Sequence, residues 1–162
     1  MPAELVAKPL SAETFAPFGQ VIEDGSGDSD GMNDARFERF DELCDVDTGG
    51  AVSVAIARCR SASSLPYDIE FMERHPLGSQ AFVPLDGQRF VVVVASAGDA
   101  PDVSGLHAFL SNGRQGINYA RGTWHMPLIA LESGQRFLVI DRGPVADNCD
   151  VHALPESVRL RV

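Results

Sequence analysis

The feature that most constrains this chain is a series of short strand-like runs separated by turn signals. Apolar or alternating runs occupy residues 52–57, 80–85, 89–97, 106–110, 116–119, 127–131 and 136–141. Dipeptides that favour turns, such as Asp86-Gly87, Asn112-Gly113 and Ser133-Gly134, separate them. Many short strands at roughly ten-residue spacing, with few helical stretches between them, predict a β-sandwich or barrel.

One short helix is predicted near the start of the chain. Ser11 is a suitable N-cap, and Pro17 stops a helix that runs to Phe15. With 162 residues, close to the usual size of one domain, we expect residues 1–162 to form a single domain. A chain of this size buries enough surface to fold without a disulfide or a structural metal.

The cysteines and the N-terminal sequence indicate the cellular compartment in which the protein is expected. The three cysteines, Cys44, Cys59 and Cys149, are odd in number and form no CxxC pair, which favours free thiols. The first residues have neither a basic start nor a long apolar stretch, so we expect no signal peptide and a cytoplasmic protein. The longest apolar run is also too short for a membrane span, which needs about 20 residues.

The charge balance excludes some classes of partner. Thirteen basic residues stand against 23 acidic ones, for a net charge of −10. Since binding to phosphates depends on Lys and Arg, nucleic acid and anionic membranes are not expected partners. Twelve of the 13 basic residues are arginine, the side chain best suited to bidentate recognition of a carboxylate. A small carboxylate ligand is therefore compatible with the overall charge.

Polar residues that look out of place border the strand-like runs in three segments. These segments are ERHPLGSQ at 73–80, NYARGTWHMPL at 118–128, and DRG at 141–143 followed by NCD at 148–150. In a barrel, such positions lie at the mouth or on the inner face. The first two segments resemble the metal motifs of cupins, small double-stranded β-helix barrels. Glu73 stands where a cupin has its first histidine, and Gln80 stands where it has a glutamate.

A metal site is possible within this pattern. The imidazoles of His75 and His125 and the carboxylate of Glu73 form a donor set that suits nickel, manganese or zinc. Gln80 would be a neutral and weaker ligand, so such a site would be incomplete. The sequence leaves open whether a divalent metal is bound.

A more specific resemblance is carried by longer strings. FAPFG at 15–19, ERHPLGSQAF at 73–82, NYARGTWHMPL at 118–128, FLVIDR at 137–142 and NC at 148–149 resemble the ureidoglycolate lyase family, formerly called ureidoglycolate hydrolases. Their order and spacing agree from about Leu10 to Asp150. Family members often carry a second histidine after His125, and here that position is Met126.

The resemblance implies a cupin-type barrel that cleaves (S)-ureidoglycolate to glyoxylate and urea in allantoin and purine breakdown, a carbon–nitrogen lyase reaction. It also implies a homodimer and an association with nickel. The reaction needs proton transfer, binding of a carboxylate and binding of a urea group, which histidine, arginine and amide side chains provide. Candidate catalytic residues are His125, His75 and Arg121. Candidate substrate-binding residues are Arg74, Gln80, Asn118, Tyr119, Trp124 and Arg142.

Two other functions stay open at this point. The chain could be a cupin enzyme that acts on another ureido or hydroxy acid. It could instead be a cupin-type sensor that binds a small carboxylate such as glyoxylate. A sensor needs a group that holds the carboxylate but no histidine for proton transfer, so the Arg-Gly-Thr-Trp-His string at 121–125 favours an enzyme.

Overall fold

Strands predominate in the protein. The structure, a computed structural model, describes residues 1–25, 29–144 and 147–162. Its strands are β1 (Ala3–Val6), β2 (Lys8–Pro9), β3 (Gly19–Ile22), β4 (Ser29–Met32), β5 (Phe37–Phe40), β6 (Ala51–Arg58), β7 (Tyr67–Arg74), β8 (Gln80–Pro84), β9 (Phe90–Ala95), β10 (His107–Leu110), β11 (Gly116–Tyr119), β12 (Trp124–His125), β13 (Ile129–Ala130), β14 (Arg136–Gly143) and β15 (Asp150–Arg161). The helical elements are α1 (Ala12–Phe15) and a 3-10 turn at Val103–Gly105.

The short N-terminal helix is confirmed, and its cap is the predicted one. The Ser11 hydroxyl accepts a hydrogen bond from the backbone N–H of Thr14, 3.2 Å away. Phe15, at the end of the helix, is fully buried. No helix in the described ranges is both long enough and apolar enough to cross a membrane.

Two sheets form a cupin-like barrel, which confirms the predicted fold class. The larger sheet has the order β1-β15-β7-β12-β9-β10-β2, with β13 also paired to β9. The smaller sheet has the order β3-β11-β8-β14-β6, and β4 and β5 form a separate hairpin. Strands β1 and β10 touch, so the larger sheet curls almost closed.

The central strand β9 is buried on both faces and separates two hydrophobic clusters. Phe90, Val92 and Val94 pack between the two sheets, together with Ile117 and Phe137 of the smaller sheet. The alternate β9 side chains pack inside the curl of the larger sheet. A strand that is covered on both faces has a continuous apolar sequence. The segment at residues 89–97 was predicted as a strand from such a run.

The strands and the predicted runs differ in places. Strand β7 is not among the predicted runs, although Tyr67, Ile69 and Phe71 alternate with polar residues as in a half-buried strand. Conversely, the run predicted over residues 127–131 contributes only the two-residue strand β13. Pro127 lacks the amide hydrogen that a longer strand would need there.

Gly19 allows the smaller sheet to begin where it does. It pairs with Tyr119 of β11 and has a φ of +152°. A Cβ atom at this position would lie 1.8 Å from the carbonyl oxygen of Asn118. Only a residue without a side chain lets β3 approach β11 this closely.

We expect Gly19→Ala to destabilise the fold by about 3 kcal/mol or more, because it adds a collision with the backbone to an unfavourable φ. Gly134→Ala is the matched control. Gly134 also has a positive φ, +85°, but nothing lies within 4 Å of the added Cβ. The free energy of unfolding should fall by only about 1 kcal/mol in Gly134→Ala. Denaturant unfolding of both variants measures the difference, and equal losses would contradict the role of close approach.

Candidate active site

The polar cluster between the sheets is assembled by strand register. Strand β12 pairs with β7, which places His125 directly opposite Glu73. Strands β8 and β14 of the smaller sheet bring Gln80 and Asp141 into hydrogen-bond contact, and His75 follows the end of β7. Four strands from two sheets therefore bring together side chains that are far apart in sequence.

His125 presents an unpaired lone pair inside the protein. It is 1% exposed, and its Nδ1 lies 3.0 Å from the carbonyl oxygen of Thr123, which can only accept. The hydrogen of a neutral ring is therefore on Nδ1, and Nε2 carries a lone pair. Nε2 has no hydrogen-bond partner within the described part of the chain and lies 3.5 Å from Oε1 of Glu73. Burial lowers the pKa of His125, although the Glu73 carboxylate partly offsets this, so the neutral ring is favoured.

Glu73 and Tyr119 complete the surroundings of this ring. Burial opposes ionisation of Glu73, yet its attraction to the protonated forms of His125 and His75 lowers its pKa below the ordinary value. The Tyr119 ring stacks on His125, with ring centroids 4.1 Å apart and planes 12° from parallel. Burial, and next the charge of Glu73, raise the pKa of the Tyr119 hydroxyl, which stays protonated. That hydroxyl is buried without a hydrogen-bond partner among the described residues.

His75 has a different environment, because both of its ring nitrogens face oxygens. Nδ1 lies 2.6 Å from the backbone oxygen of Asn148, and Nε2 lies 2.9 Å from Oε1 of Gln80. The Gln80 amide nitrogen donates in turn to the Asp141 carboxylate at 3.0 Å. The centroids of the His75 and His125 rings are 5.0 Å apart. The two histidines are neighbours, but both ring nitrogens of His75 have a hydrogen-bond partner, whereas Nε2 of His125 has none among the described residues.

Glu73, His75 and His125 could together hold a metal ion. One ligand atom from each lies within 4.8 Å of the other two. The buried, unpartnered Nε2 of His125 and the Glu73 carboxylate are available as they stand. A metal that used Nε2 of His75 would have to displace Gln80. Oxygen and imidazole donors of this kind suit first-row divalent metals such as nickel and zinc.

Other predicted site residues lie on a different face of the smaller sheet. Ile117 and Tyr119 of β11 face the space between the sheets, so the intervening Asn118 faces away from it. The Asn118 amide donates to the backbone oxygen of Asp45, and Arg121 forms a two-pronged ion pair with Asp47. These residues line a cavity of about 550 Å³ between the sheet and the segment at 45–47. This cavity is thus not lined by Glu73, His75 or His125.

Three further candidates are also held outside the cluster. The Arg74 guanidinium lies 4.7 Å above the Trp124 ring and pairs with Asp150. The Trp124 indole belongs to the hydrophobic cluster inside the curl of the larger sheet. Arg142 donates to the backbone oxygen of Thr48 at 2.9 Å. The predicted residues therefore form a compact group of Glu73, His75, Gln80, Tyr119 and His125, with the others around it.

The sequence assigned no role to three residues that contact this group. Asp141 holds Gln80, and Asn148 is buried and accepts from the Leu77 N–H through its side-chain oxygen. The Cys149 thiol lies 3.6 Å from Glu73 and is exposed. Burial and the Glu73 charge raise the pKa of Cys149, which disfavours a reactive thiolate. All three residues lie in strings that carried the family resemblance, but only the folded chain shows their contacts.

Met126 does not take part in the cluster. It is 3% exposed and packs with Val93 and Ile129 inside the curl of the larger sheet, on the face opposite His125. The methionine at this position therefore leaves the contacts between Glu73, His75 and His125 intact.

Comparisons with known proteins point to one family. The sequence model of the ureidoglycolate lyase family matches residues 2–161. The chain is 50% identical to a ureidoglycolate lyase of Pseudomonas fluorescens over 159 residues, which cover 96% of this chain and 95% of that protein. It is 47% identical to a ureidoglycolate lyase of Pseudomonas syringae pv. syringae over 156 residues, with 95% and 92% covered. A ureidoglycolate lyase of Pseudomonas syringae pv. tomato is 47% identical over 158 residues, with 96% and 93% covered.

The unpaired Tyr119 hydroxyl generates a prediction about stability. Because a buried hydroxyl without a partner destabilises the folded state, we expect Tyr119→Phe to be neutral or stabilising by about 1 kcal/mol in the free protein. Thermal unfolding without ligand measures this. A clear loss of stability would mean that the hydroxyl makes a bond in the free protein. Phe82→Leu, at a ring that packs edge-on against Tyr119, is the control expected to destabilise.

Proposed function

The chain belongs to the ureidoglycolate lyase family, and we propose that it cleaves ureidoglycolate to glyoxylate and urea. The observation that carries the proposal is the buried lone pair on Nε2 of His125, placed beside Glu73 in a chain that matches this family over nearly its full length. A binding protein for glyoxylate would have no use for such a group, and the relatives are named as lyases.

The chemistry requires two proton movements at one carbon. That carbon carries a hydroxyl, a carboxylate and a urea nitrogen. As the hydroxyl loses its proton, its electrons form the aldehyde C=O bond, and the C–N bond breaks with its electron pair leaving on the urea nitrogen. The departing nitrogen must receive a proton. One proton leaves oxygen and one reaches nitrogen, so no oxidant or other reactant is needed.

His125 is suited to move that proton. Its Nε2 lone pair can accept the hydroxyl proton, while its Nδ1–H stays bonded to Thr123 and holds the ring in place. The same nitrogen can then protonate the urea nitrogen, because both atoms are bonded to the same carbon. The Glu73 carboxylate, 3.5 Å away, stabilises the imidazolium that exists between the two transfers. Histidine is the side chain best matched to both steps near neutral pH.

The remaining candidates are proposed to hold the two ends of the substrate. Arg121 and Arg142 approach each other at Gly49, where an added Cβ would lie 3.0 Å from one guanidinium and 3.1 Å from the other. We propose that this pair receives the carboxylate, which requires Arg121 to loosen its contact with Asp47. Gln80, beside His75, is the proposed partner of the urea end. Arg74, Asn118 and Trp124 are proposed to shape the surroundings.

A divalent metal is compatible with this arrangement. Glu73 and His125 would hold it, with His75 as a third ligand if Gln80 moves aside. Such an ion would act as a Lewis acid that polarises an oxygen of the substrate. Among the metals that suit these donors, the family resemblance favours nickel.

We also propose that the protein is a homodimer formed through the outer face of β6. Val52, Val54 and Ile56 lie on one face of this edge strand and are 60%, 67% and 59% exposed. Their cross-strand neighbours Leu138 and Ile140 of β14 extend the apolar surface. Exposed apolar patches of this kind mark interfaces. Two copies that each carry a net charge of −10 repel each other overall, which favours association through an uncharged face.

The activity is tested by incubating the purified protein with racemic ureidoglycolate and measuring glyoxylate and urea. We expect equal amounts of both products. His125→Gln keeps a hydrogen-bonding side chain but removes the proton acceptor, and should lower kcat by about 10²–10⁴-fold. Arg121→Ala is the contrasting variant: it should raise KM with a smaller change in kcat. No product, with and without added nickel, would refute the lyase proposal, and an unchanged kcat in His125→Gln would make His125 structural.

The dimer is tested by sedimentation at micromolar concentration. We expect a mass near twice the 17.4 kDa of one chain for the native protein. Val54→Lys should shift it towards the single-chain mass, because a buried lysine would be unpaired in the interface. Val151→Lys is the control, since Val151 is equally exposed, at 64%, but lies on β15 of the other sheet. A native protein that sediments as one chain, or a dimer unaffected by Val54→Lys, argues against this face.

A further inference from the structure

The segment at residues 45–50 brings a carboxylate of the chain itself to Arg121. The Nε and Nη2 atoms of Arg121 donate to the two carboxylate oxygens of Asp47, at 2.9 and 2.8 Å. This two-pronged geometry is the one in which a guanidinium binds carboxylates in general. The hydrogen bonds from Arg121 hold the pKa of Asp47 below its usual range, so the carboxylate is charged near neutral pH. In the free protein, Arg121 is therefore already occupied.

The Asp47 side chain can leave Arg121 while the backbone of the segment stays in place. The Asp47 N–H donates to the Ser79 hydroxyl at 2.8 Å, and the Asp47 carbonyl accepts from the Ser79 N–H at 2.6 Å. These bonds do not involve the carboxylate. The side chains of Asp47 and Arg121 are 49% and 44% exposed, and ion pairs open to water are weak. Opening this pair therefore leaves the surrounding fold intact.

A second guanidinium lies beside the first and has no carboxylate partner in the described part of the chain. Arg142 donates through Nη1 to the backbone oxygen of Thr48 at 2.9 Å. A Cβ atom added to Gly49 would lie 3.0 Å from Nη2 of Arg121 and 3.1 Å from Nη1 of Arg142. Glycine at position 49 thus keeps open a small space between two cations that share one carboxylate. Such a space suits an incoming carboxylate.

We propose that Asp47 is an internal competitor of the substrate carboxylate, which displaces it from Arg121 and binds across Arg121 and Arg142. The inference rests on the proposal that these two arginines receive the carboxylate, and it adds what limits the affinity. A ligand binds more weakly in proportion to the fraction of molecules in which its binding group is occupied. Removing the competitor should therefore tighten binding. If Asp47 instead held Arg121 in a productive position, its removal would weaken binding.

The experiment is isothermal titration of the full-length protein with glycolate. Glycolate carries the carboxylate and hydroxyl of ureidoglycolate but has no urea group to release. We expect Asp47→Asn to bind glycolate about 2–5-fold more tightly than the native protein, the factor that corresponds to an exposed ion pair. Asp47→Ala, which also removes the amide, should gain at least as much. In an Arg121→Ala background, Asp47→Asn should not tighten binding. Glycolamide, the neutral analogue, should show no gain in either protein.

Two control variants separate competition from a change of charge. Asp45→Asn removes the same charge two residues away, but the Asp45 carboxylate accepts from Gln20 rather than from an arginine. Asp86→Asn breaks the same two-pronged pair with Arg136, at the opposite end of β14 from Arg142. Neither should match the gain of Asp47→Asn. An equal gain in Asp45→Asn, a gain that persists without Arg121, unchanged or weaker binding in Asp47→Asn, or no glycolate binding by any of these proteins would each overturn the proposal.

Turnover provides a second readout and distinguishes this inference from the lyase proposal. Asp47→Asn should lower KM for ureidoglycolate by the same factor and change kcat less, because Asp47 is displaced before the reaction begins. A protein that cleaves ureidoglycolate with KM unchanged or raised in Asp47→Asn refutes the competitor and leaves the lyase standing. A protein that is inactive on ureidoglycolate but binds glycolate more tightly as Asp47→Asn refutes the lyase and leaves the competitor standing.

Discussion

Successive side chains of a β-strand point to opposite faces of its sheet, and this constraint governs how the protein is built. Strand β9 supplies alternate residues to two separate clusters, and β11 sends Tyr119 inward and Asn118 outward. The segment at 124–126 divides in the same way, with His125 between the sheets and its neighbours inside the curl of the larger sheet. Residues adjacent in sequence can therefore belong to different sites, and the side chains that one strand contributes to the same face lie two residues apart.

The cluster around His125 contains polar atoms that the protein leaves unsatisfied. The Nε2 of His125 and the hydroxyl of Tyr119 are buried and have no partner in residues 1–25, 29–144 and 147–162, and the pKa of Glu73 beside them is lowered. Burying polar groups in this way lowers stability, so their grouping in one place indicates that a ligand supplies the missing bonds. Glu73 and Cys149 are the more accessible members of this region.

Identical side chains acquire unlike properties here from their immediate neighbours. The rings of His75 and His125 have centroids 5.0 Å apart, yet both nitrogens of His75 lie within 2.9 Å of an oxygen, whereas Nε2 of His125 is 3.5 Å from the nearby Glu73 carboxylate. Arginines differ in the same way. Arg121 is held by a carboxylate, Arg142 by a backbone carbonyl, and Arg74 by Asp150 and an indole ring. Residue type alone therefore does not tell which of them is free to meet a substrate.

The sequence by itself determined the class of fold, the helix cap at Ser11 and the identity of the polar segments. These depend on short-range patterns: the period of apolar residues, a capping side chain, and strings such as Arg-Gly-Thr-Trp-His at 121–125. Only the tertiary structure decided which of those residues meet. Glu73 lies on a strand that was not among the predicted runs, and it faces His125 because β7 and β12 pair in that register. The link from Asp141 through Gln80 to His75 spans two sheets, and such contacts depend on long-range packing that no local pattern records.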